Sequence, residues 1–593
     1  MRFFLGGLFF VLVIAAAALA ECQKTSDERP SIVGCEIADF SLRDPRGREG
    51  SLAAAFTPAD GENSTPPKFV VVAFVGCECP LARQYAPRLA KLAEEYQPRG
   101  VAFLAIDSNQ QDTLAELADF ARTYEIKFPL LKDPGNVVAD RFAAARTPEV
   151  FLLDDQRIVR YRGRIDDQFI VGRQRPQATR RDLAIALEEL LSGQPVSVTE
   201  TDVQGCRIGR LQKREAAGEV TYSNQIARLL DRRCVECHRP GEVAPFALTS
   251  YDEAVGWAES MREVIEQGRM PPWFANPEFG KFHNDPRLSE EEKRLLADWV
   301  DAGCPEGDRS QLPEPRQFTA GWQIPPPDQV VYIRDEPVDV PAEGVVKYQY
   351  YTVDPGFTAD TWIKAAECRP DNRAVVHHIV AFFVPPGEKP RGRRGAMVGF
   401  APGMPPTIFP EGAAMLVPAG SKIVFQLHYT PNGSPQKDRS SLGLVFADPA
   451  EVREKIGGGM AANPLLQIPP GDENHEVHSQ HRFDNDVRLL TLTPHMHLRG
   501  KSFRYEADYP DGRSEILLEI PRYDFNWQLR YHLAEPKLLP KGTLLRCTAH
   551  FDNSAGNVAN PDPTKTVRWG DQTWEEMMIG YFTTLPAGEP ATR

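Results

Sequence analysis

The chain has no surplus of positive charge: 68 Lys and Arg stand against 82 Asp and Glu, for a formal net charge of −14. A nucleic-acid partner requires a basic face, so that class is excluded. Beyond the first twenty residues there is no apolar run long enough to cross a bilayer, and no short-period repeat divides the chain. What is present is a globular composition, 42% hydrophobic, over 593 residues. At roughly 150 residues per domain that length implies about four domains.

The N-terminus reads Met1, Arg2 and an apolar run from Phe3 to Leu19 that closes on Ala18-Leu19-Ala20. A charged start, an apolar centre and a small-residue end describe a secretory signal, with cleavage expected after Ala20. Cys22 raises a lipoprotein anchor, but Glu21 is a poor residue before a lipidated cysteine. The expected location is periplasmic or secreted, with no stable membrane span after signal cleavage. Disulfides persist there, and haem and copper chemistry are common.

Texture changes along the chain mark its organisation. Apolar runs such as "KFVVVAFVG" and "PEVFLLDD" alternate with helical patterns up to Gly193, an α/β layout. A charged linker, "LQKREAAGE", leads to a helical segment, which the Pro-rich "LPEPRQFTAGWQIPPPDQ" closes. From about Val330 short apolar alternations separated by Pro, Gly and Asp turns predict antiparallel β-sandwiches, divided in two at "NPLLQIPPGDEN".

"CVECH", Cys234 to His238, fits Cys-x-x-Cys-His, the pattern for one covalent haem c. Cys234 and Cys237 would form the thioethers and His238 would ligate iron. Met270 in "GRMPPWF" is the expected sixth ligand, with Met261 as second choice. A haem held by Met and His has no open position and transfers electrons.

In "VVVAFVGCECPLARQYAPRL" a buried strand runs into Cys77-Glu78-Cys79-Pro80 and then a helix, whose N-terminus lowers a thiol pKa. With Thr147-Pro148 as a candidate cis-proline loop, this region resembles a thioredoxin or peroxiredoxin, which implies Cys79 as the redox-active cysteine. It departs from both: Ala82 stands where thioredoxin has its second cysteine, and Gly76 where a peroxiredoxin has threonine. The partner of Cys79 stays open among Cys77, Cys206 and Cys35, and a scaffold with a static disulfide is the alternative.

"VVHHI" supplies His377 and His378, "LHY" His428, "HMHLRGK" His495 and His497, and "EEMMIGY" Met577 and Tyr581. Strand residues i and i+2 share a face, so His495 and His497 can converge on one ion, whereas His377 and His378 need a bulge to do so. In order and context, Val330 to Thr584 resembles the copper type II, ascorbate-dependent monooxygenases, the family of peptidylglycine and dopamine β-hydroxylases. The resemblance implies two copper ions facing each other across an open cleft. His377, His378 and His428 would hold an electron-storing copper, and His495, His497 and Met577 the one that activates dioxygen. Imidazole suits both copper oxidation states, thioether favours Cu(I), and the ligand types leave zinc open. Thr493 stands where the peptide-amidating branch has an arginine and Ile579 replaces a polar contact, so a peptidyl-glycine substrate is not expected. Met578 stands where the family partner of Cys547 belongs, so that disulfide is not expected either. The histidines of "HEVHSQH", His475, His478 and His481, are read as a solvated linker.

The expected order is a signal peptide at 1–20, an α/β thioredoxin-like domain at 31–205, a small all-α cytochrome c domain at 218–308, and two antiparallel, jelly-roll-like β-sandwiches at 330–458 and 464–587. The expected function is O2-dependent hydroxylation of a small-molecule C–H bond. An external donor, an ascorbate-like reductant or a redox protein, would supply electrons through the fused cytochrome. The alternative is a periplasmic electron-transfer or copper/thiol redox relay without hydroxylase activity.

Overall fold

The computed structural model describes residues 31–57, 65–210, 219–318, 321–388 and 397–588; the signal segment, Cys22 and most of the charged linker lie outside them. No helix among the described residues is long and apolar enough to cross a membrane.

The N-terminal part is a mixed sheet with helices on both faces. Phe69–Val75 and Val101–Asp107 run parallel at its centre, with Leu130–Lys132 parallel beyond and Glu149–Asp154 antiparallel on the other side. Both faces are covered, which explains the unbroken apolar runs. Val70, Val72 and Phe74 enter one core with Leu104 and Phe151, while Val71, Ala73 and Val75 enter the other with Leu89 and Leu187. The helix Pro80–Tyr96 follows the central strand, with Pro80 in its first turn, where a missing N–H costs nothing. This domain does not stop at 205. Cys206–Arg207 pairs antiparallel with Arg146–Thr147, and Ile208 is buried in one of the two cores.

The helical segment packs Ala227–Arg233, Tyr251–Glu266 and Glu290–Asp301 around Trp257, Met261, Leu296 and Trp299. Ser250 with Glu253, and Ser289 with Glu292, form capping boxes that fix where the last two helices begin. Between those helices the chain leaves the helical core. Trp273 and Ala275 are buried in the second sandwich, Asn276 N–H donates to Glu519 O (2.8 Å), and Asn284 Nδ2 donates to Arg530 O (2.8 Å).

The first sandwich sets the sheet containing Gln349–Val353, Lys422–Tyr429, Val376–Val384 and Met397–Phe400 against a sheet built around Thr361–Arg369. In the second, Gly457–Ala462, Ile579–Pro586, Val487–His495 and Tyr531–Leu539 face His475–Arg482, Leu544–Phe551, Gly500–Asp508 and Ser514–Ile520. Its first strand thus begins at Gly457 rather than 464, because Gly457–Ala462 pairs with Ile579–Pro586. The "HEVHSQH" histidines are not a linker. They lie on the strand His475–Arg482, where inward Val477 and Ser479 alternate with outward Glu476 and His478.

Candidate functional site

The strand Val376–Val384 carries the bulge that adjacent histidine ligands require. Its register with Lys422–Tyr429 shifts between Val376 and His378, which leaves His377 as the extra residue and sets His378 directly opposite His428. The three imidazoles offer ligand atoms all within 4.8 Å of one another. His377 Nδ1 lies 3.2 Å from His378 Nδ1, and His428 Nδ1 is buried without a hydrogen-bond partner. Burial pushes His377 down to about 4, and burial followed by neighbouring histidines takes His378 well below its ordinary value. At neutral pH these are uncharged rings with lone pairs to give. A buried polar nitrogen lacking a partner is costly, and a shared cation would remove that cost. The set fits a metal.

His495 ends the strand Val487–His495, whereas His497 lies just past it, so the two are not both strand residues as the alternation predicts. Their rings still stand 5.2 Å apart at 89°, while Met496 between them is buried in the sandwich core. His495 Nδ1 pairs with Gln528 Oε1 (2.7 Å) and His497 Nδ1 with Glu575 O (3.2 Å), so a metal would be met by the Nε2 side of each ring. Met577 lines the same cavity with Tyr581; Met578 points instead into the core. The donor set of two imidazoles and a thioether fits a soft metal ion.

The two sets are not separated by an open cleft. Tyr348 lies 4.8 Å from the His428 ring and 6.3 Å from that of His497, and Phe525 stacks on His377 at 5.0 Å while lying 6.1 Å from His497. The cavity that His378, His495, His497, Met577 and Tyr581 share is only about 70 Å³. Sequence reasoning missed these aromatics, Gln528, and above all Glu576. That buried carboxylate accepts the backbone N–H groups of His497 (2.8 Å), Arg499 (2.7 Å) and Met577 (3.3 Å), tying both ligand-bearing segments together. Desolvation pushes Glu576 up to about 7 against the opposing pull of Arg499 and those donors.

In the helical segment, His238 Nδ1 lies 3.2 Å from Phe246 O, an arrangement that orients the ring and leaves Nε2 outward. Burial lowers its pKa to about 4 and raises Cys234 and Cys237 to about 12 and 11. Cys234 and Cys237 are both partly buried beside it. Met261 is buried among the helices, while Met270 opens the loop that departs for the second sandwich.

Cys79 caps the helix Pro80–Tyr96 and is only 2% exposed. Its thiol donates to Thr147 O (3.0 Å), next to the cis Thr147–Pro148 peptide. Cys206 faces Thr147 across the strand pair and joins Cys79 in one small cluster. Burial alone would raise Cys79; hydrogen bonding from Cys206 and the Thr147 side chain, together with the Ala82 N–H, outweighs it and brings the thiol down to about 6. Cys77 points elsewhere, toward Asp107 and Asp112, and burial raises its pKa. Cys35 packs against the core on the opposite face of the sheet from Cys77. Of the three candidate partners, Cys206 is the one the fold brings to Cys79.

Strand order, helix-start cysteine and cis-proline loop define a thioredoxin-like redoxin domain, and residues 33–162 match the AhpC/TSA family. The chain is similar to the thioredoxin-like protein YneN of Bacillus subtilis, at 25% identity over 161 residues, 27% of this chain and 88% of that protein. It is similar also to the thiol-disulfide oxidoreductase ResA of Bacillus cereus, at 24% over 135 residues, 23% of this chain and 71% of that one. Among solved structures, a hypothetical protein of Sinorhizobium meliloti 1021 is 32% identical and covers 30% of this chain and 94% of its own, with a TM-score of 0.27.

Proposed function

We propose that the chain is an exported multicentre redox protein in which the Cys79–Cys206 pair, a haem c on Cys234, Cys237 and His238, and two coppers in the double sandwich form a relay. The observation that supports the relay is the covering of the thiol pair by the module bearing the haem motif. Glu263 of the helix Tyr251–Glu266 bonds Arg146 (2.8 Å) and Arg207 (2.6 Å), the residues beside Thr147 and Cys206. Oxidation of the pair to a disulfide releases two electrons and two protons, and with Cys79 buried and Cys206 half-buried these pass within the chain more readily than to a protein partner. A haem c would be held by Cys234, Cys237 and His238, with Met270 as the proposed further ligand, and would supply one-electron transfer. The test is covalent haem and copper content of the purified full chain, together with the oxidation state of Cys79 and Cys206 by mass spectrometry. A Cys79 that stays a thiol under every oxidant returns the domain to a scaffold.

A second reading goes further: the copper pair makes the chain an O2-dependent monooxygenase acting on a small molecule. It is favoured by the joint cavity in which His495, His497 and Met577 meet Tyr581 beside the His377 set. Copper there supplies dioxygen activation and one-electron storage. Gln528 and Glu575 orient the imidazoles, Glu576 holds Met577 against them, and Tyr348 and Phe525 exclude bulk water. The His495→Ala variant is expected to lose about one copper equivalent and keep its haem. Oxygen uptake coupled to a hydroxylated product separates this reading from the relay alone; reoxidation of the protein without any product would leave only the relay.

A further inference from the structure

A cavity of about 550 Å³ opens where the loop after His238 meets the first sandwich. Its wall is rich in arginine: Arg369, Arg373 and Arg439 line it, with Glu242 and Asp371 as acidic neighbours. Glu242 is already shared, pairing with Arg239 at 2.8 Å and with Arg373 at 3.0 Å. Arg369 and Arg439 form no ion pair among the described residues. In a chain of net charge −14 this is a local concentration of the opposite sign.

The cationic side chains are also held in place. The Arg369 guanidinium lies 5.6 Å from the Trp322 ring and that of Arg439 lies 4.0 Å from the Tyr332 ring. Both rings line the cavity. An aromatic face beneath it helps fix the guanidinium plane; Arg439 Nε donates to Arg334 O (3.3 Å), and the terminal N–H groups are the ones that bind a carboxylate with two parallel hydrogen bonds. The volume falls within the roughly 300–1,000 Å³ of small-molecule sites.

We propose that this cavity binds a small organic carboxylate, its charge taken by Arg369 and Arg439, whose guanidiniums Trp322 and Tyr332 hold in place. The carboxylate could belong to a free metabolite or to the haem's own propionates, since Arg373 ties the cavity to the loop that follows His238; we commit to the free small molecule. The site does not depend on any copper being bound.

The experiment is titration calorimetry of the haem-containing full chain with phthalate, and with uncharged phthalamide as its shape match. Phthalate is expected to bind and phthalamide not to. The Arg369→Gln/Arg439→Gln variant should weaken phthalate by at least about tenfold, as loss of charge-assisted hydrogen bonds implies. Arg453→Gln, at a distant exposed arginine, should bind as the wild type does. Equal binding of the two probes, or phthalate binding unchanged in the double variant, overturns the proposal. So does absence of heat from the wild type, a result that needs no variant to fold. A Soret shift in the double variant accompanying that absence would give the cavity to the haem propionates.

Discussion

Cys79 shows how a nearly sealed thiol can still be the acidic one. Burial opposes its thiolate, and only donors placed by the fold reverse the sign, first the Cys206 thiol, then the Thr147 side chain and the Cys206 and Ala82 N–H groups. The pair shares its proton: as Cys79 falls, Cys206 rises well above its ordinary value. Thiolate absorbance at 240 nm in the reduced protein should therefore grow as pH rises through about 6, well below the ordinary thiol value of 9.0. The Cys206→Ala variant removes a donor to the anion and leaves burial in force, so its midpoint should move up by about one unit or more. Cys206→Ser, which retains a hydroxyl donor, should fall between. A midpoint unmoved in Cys206→Ala would take Cys206 out of the site. Cys79 was legible from its place between a buried strand and a proline-led helix. Its partner was not, because only the pairing of Cys206 with Thr147 distinguishes it from Cys77 and Cys35.

At the scale of elements, the placement of the candidate metal ligands depends on where strands break their own regularity. A perfect strand would send His377 and His378 to opposite faces; the shift after Val376 prevents it. On the other side His497 has left the strand, and Glu576 does what hydrogen-bonded pairing no longer does, holding His497, Arg499 and Met577 through their N–H groups. Replacing Glu576 by Ala should therefore strand three buried donors and remove the larger of the two carboxylate charges, with Asp562, that act on buried Arg499. A loss of about 3 kcal/mol is expected by urea denaturation, together with loss of metal at His495, His497 and Met577 and retention at the His377 set. Loss of metal from both sets alike would mean that Glu576 supports the sandwich generally. The histidines were legible because strand alternation and spacing constrain them. Glu576 and Gln528 were not, since nothing in "WEEMM" says which carboxylate folds inward, and Gln528 reaches His495 from a loop between strands. Tyr348 and Phe525 likewise read as ordinary aromatics until the two sandwiches bring them between the histidine sets.

Across the whole molecule the helical segment is the common neighbour. Its helix Tyr251–Glu266 lies on the thiol pair, Glu242 reaches Arg373 of the first sandwich, and its loop inserts Trp273 into the second. Trp273 lies 4.6 Å from Tyr531 and 5.9 Å from Phe282, so truncation to Ala should cost about 3–5 kcal/mol at that anchor. The freed loop should then be cut by trypsin at Lys281; a loop equally resistant in both proteins would show that the Phe282–Leu533 bridge, with Asn276 and Asn284, suffices to hold it.

The seam over the thiol pair is the contact on which the proposed relay depends, and a single carboxylate organises it. Glu263 bonds Arg146, Arg207 and, at 3.2 Å, Arg269, three guanidiniums that would repel one another without it. Burial opposes the Glu263 charge, and the Arg146 and Arg207 hydrogen bonds outweigh it, lowering the pKa. A carboxyl lowered on folding contributes stability that is complete above its unfolded value of 4.5 and is lost as pH falls through the folded one. The seam should thus be closed at neutral pH and open in acid. At pH 7, Glu263→Ala leaves the arginines unneutralised, and local opening by roughly 1.4–3 kcal/mol less would raise the reaction of Cys79 with N-ethylmaleimide about ten- to a hundredfold. Arg262→Ala, next in sequence but paired with Glu266 and Asp301 on the exposed side, should react as the wild type does. Equal rates in Glu263→Ala and wild type would mean that the thiol pair is already open to solvent reagents, and the case for electrons passing within the chain would lose its structural basis.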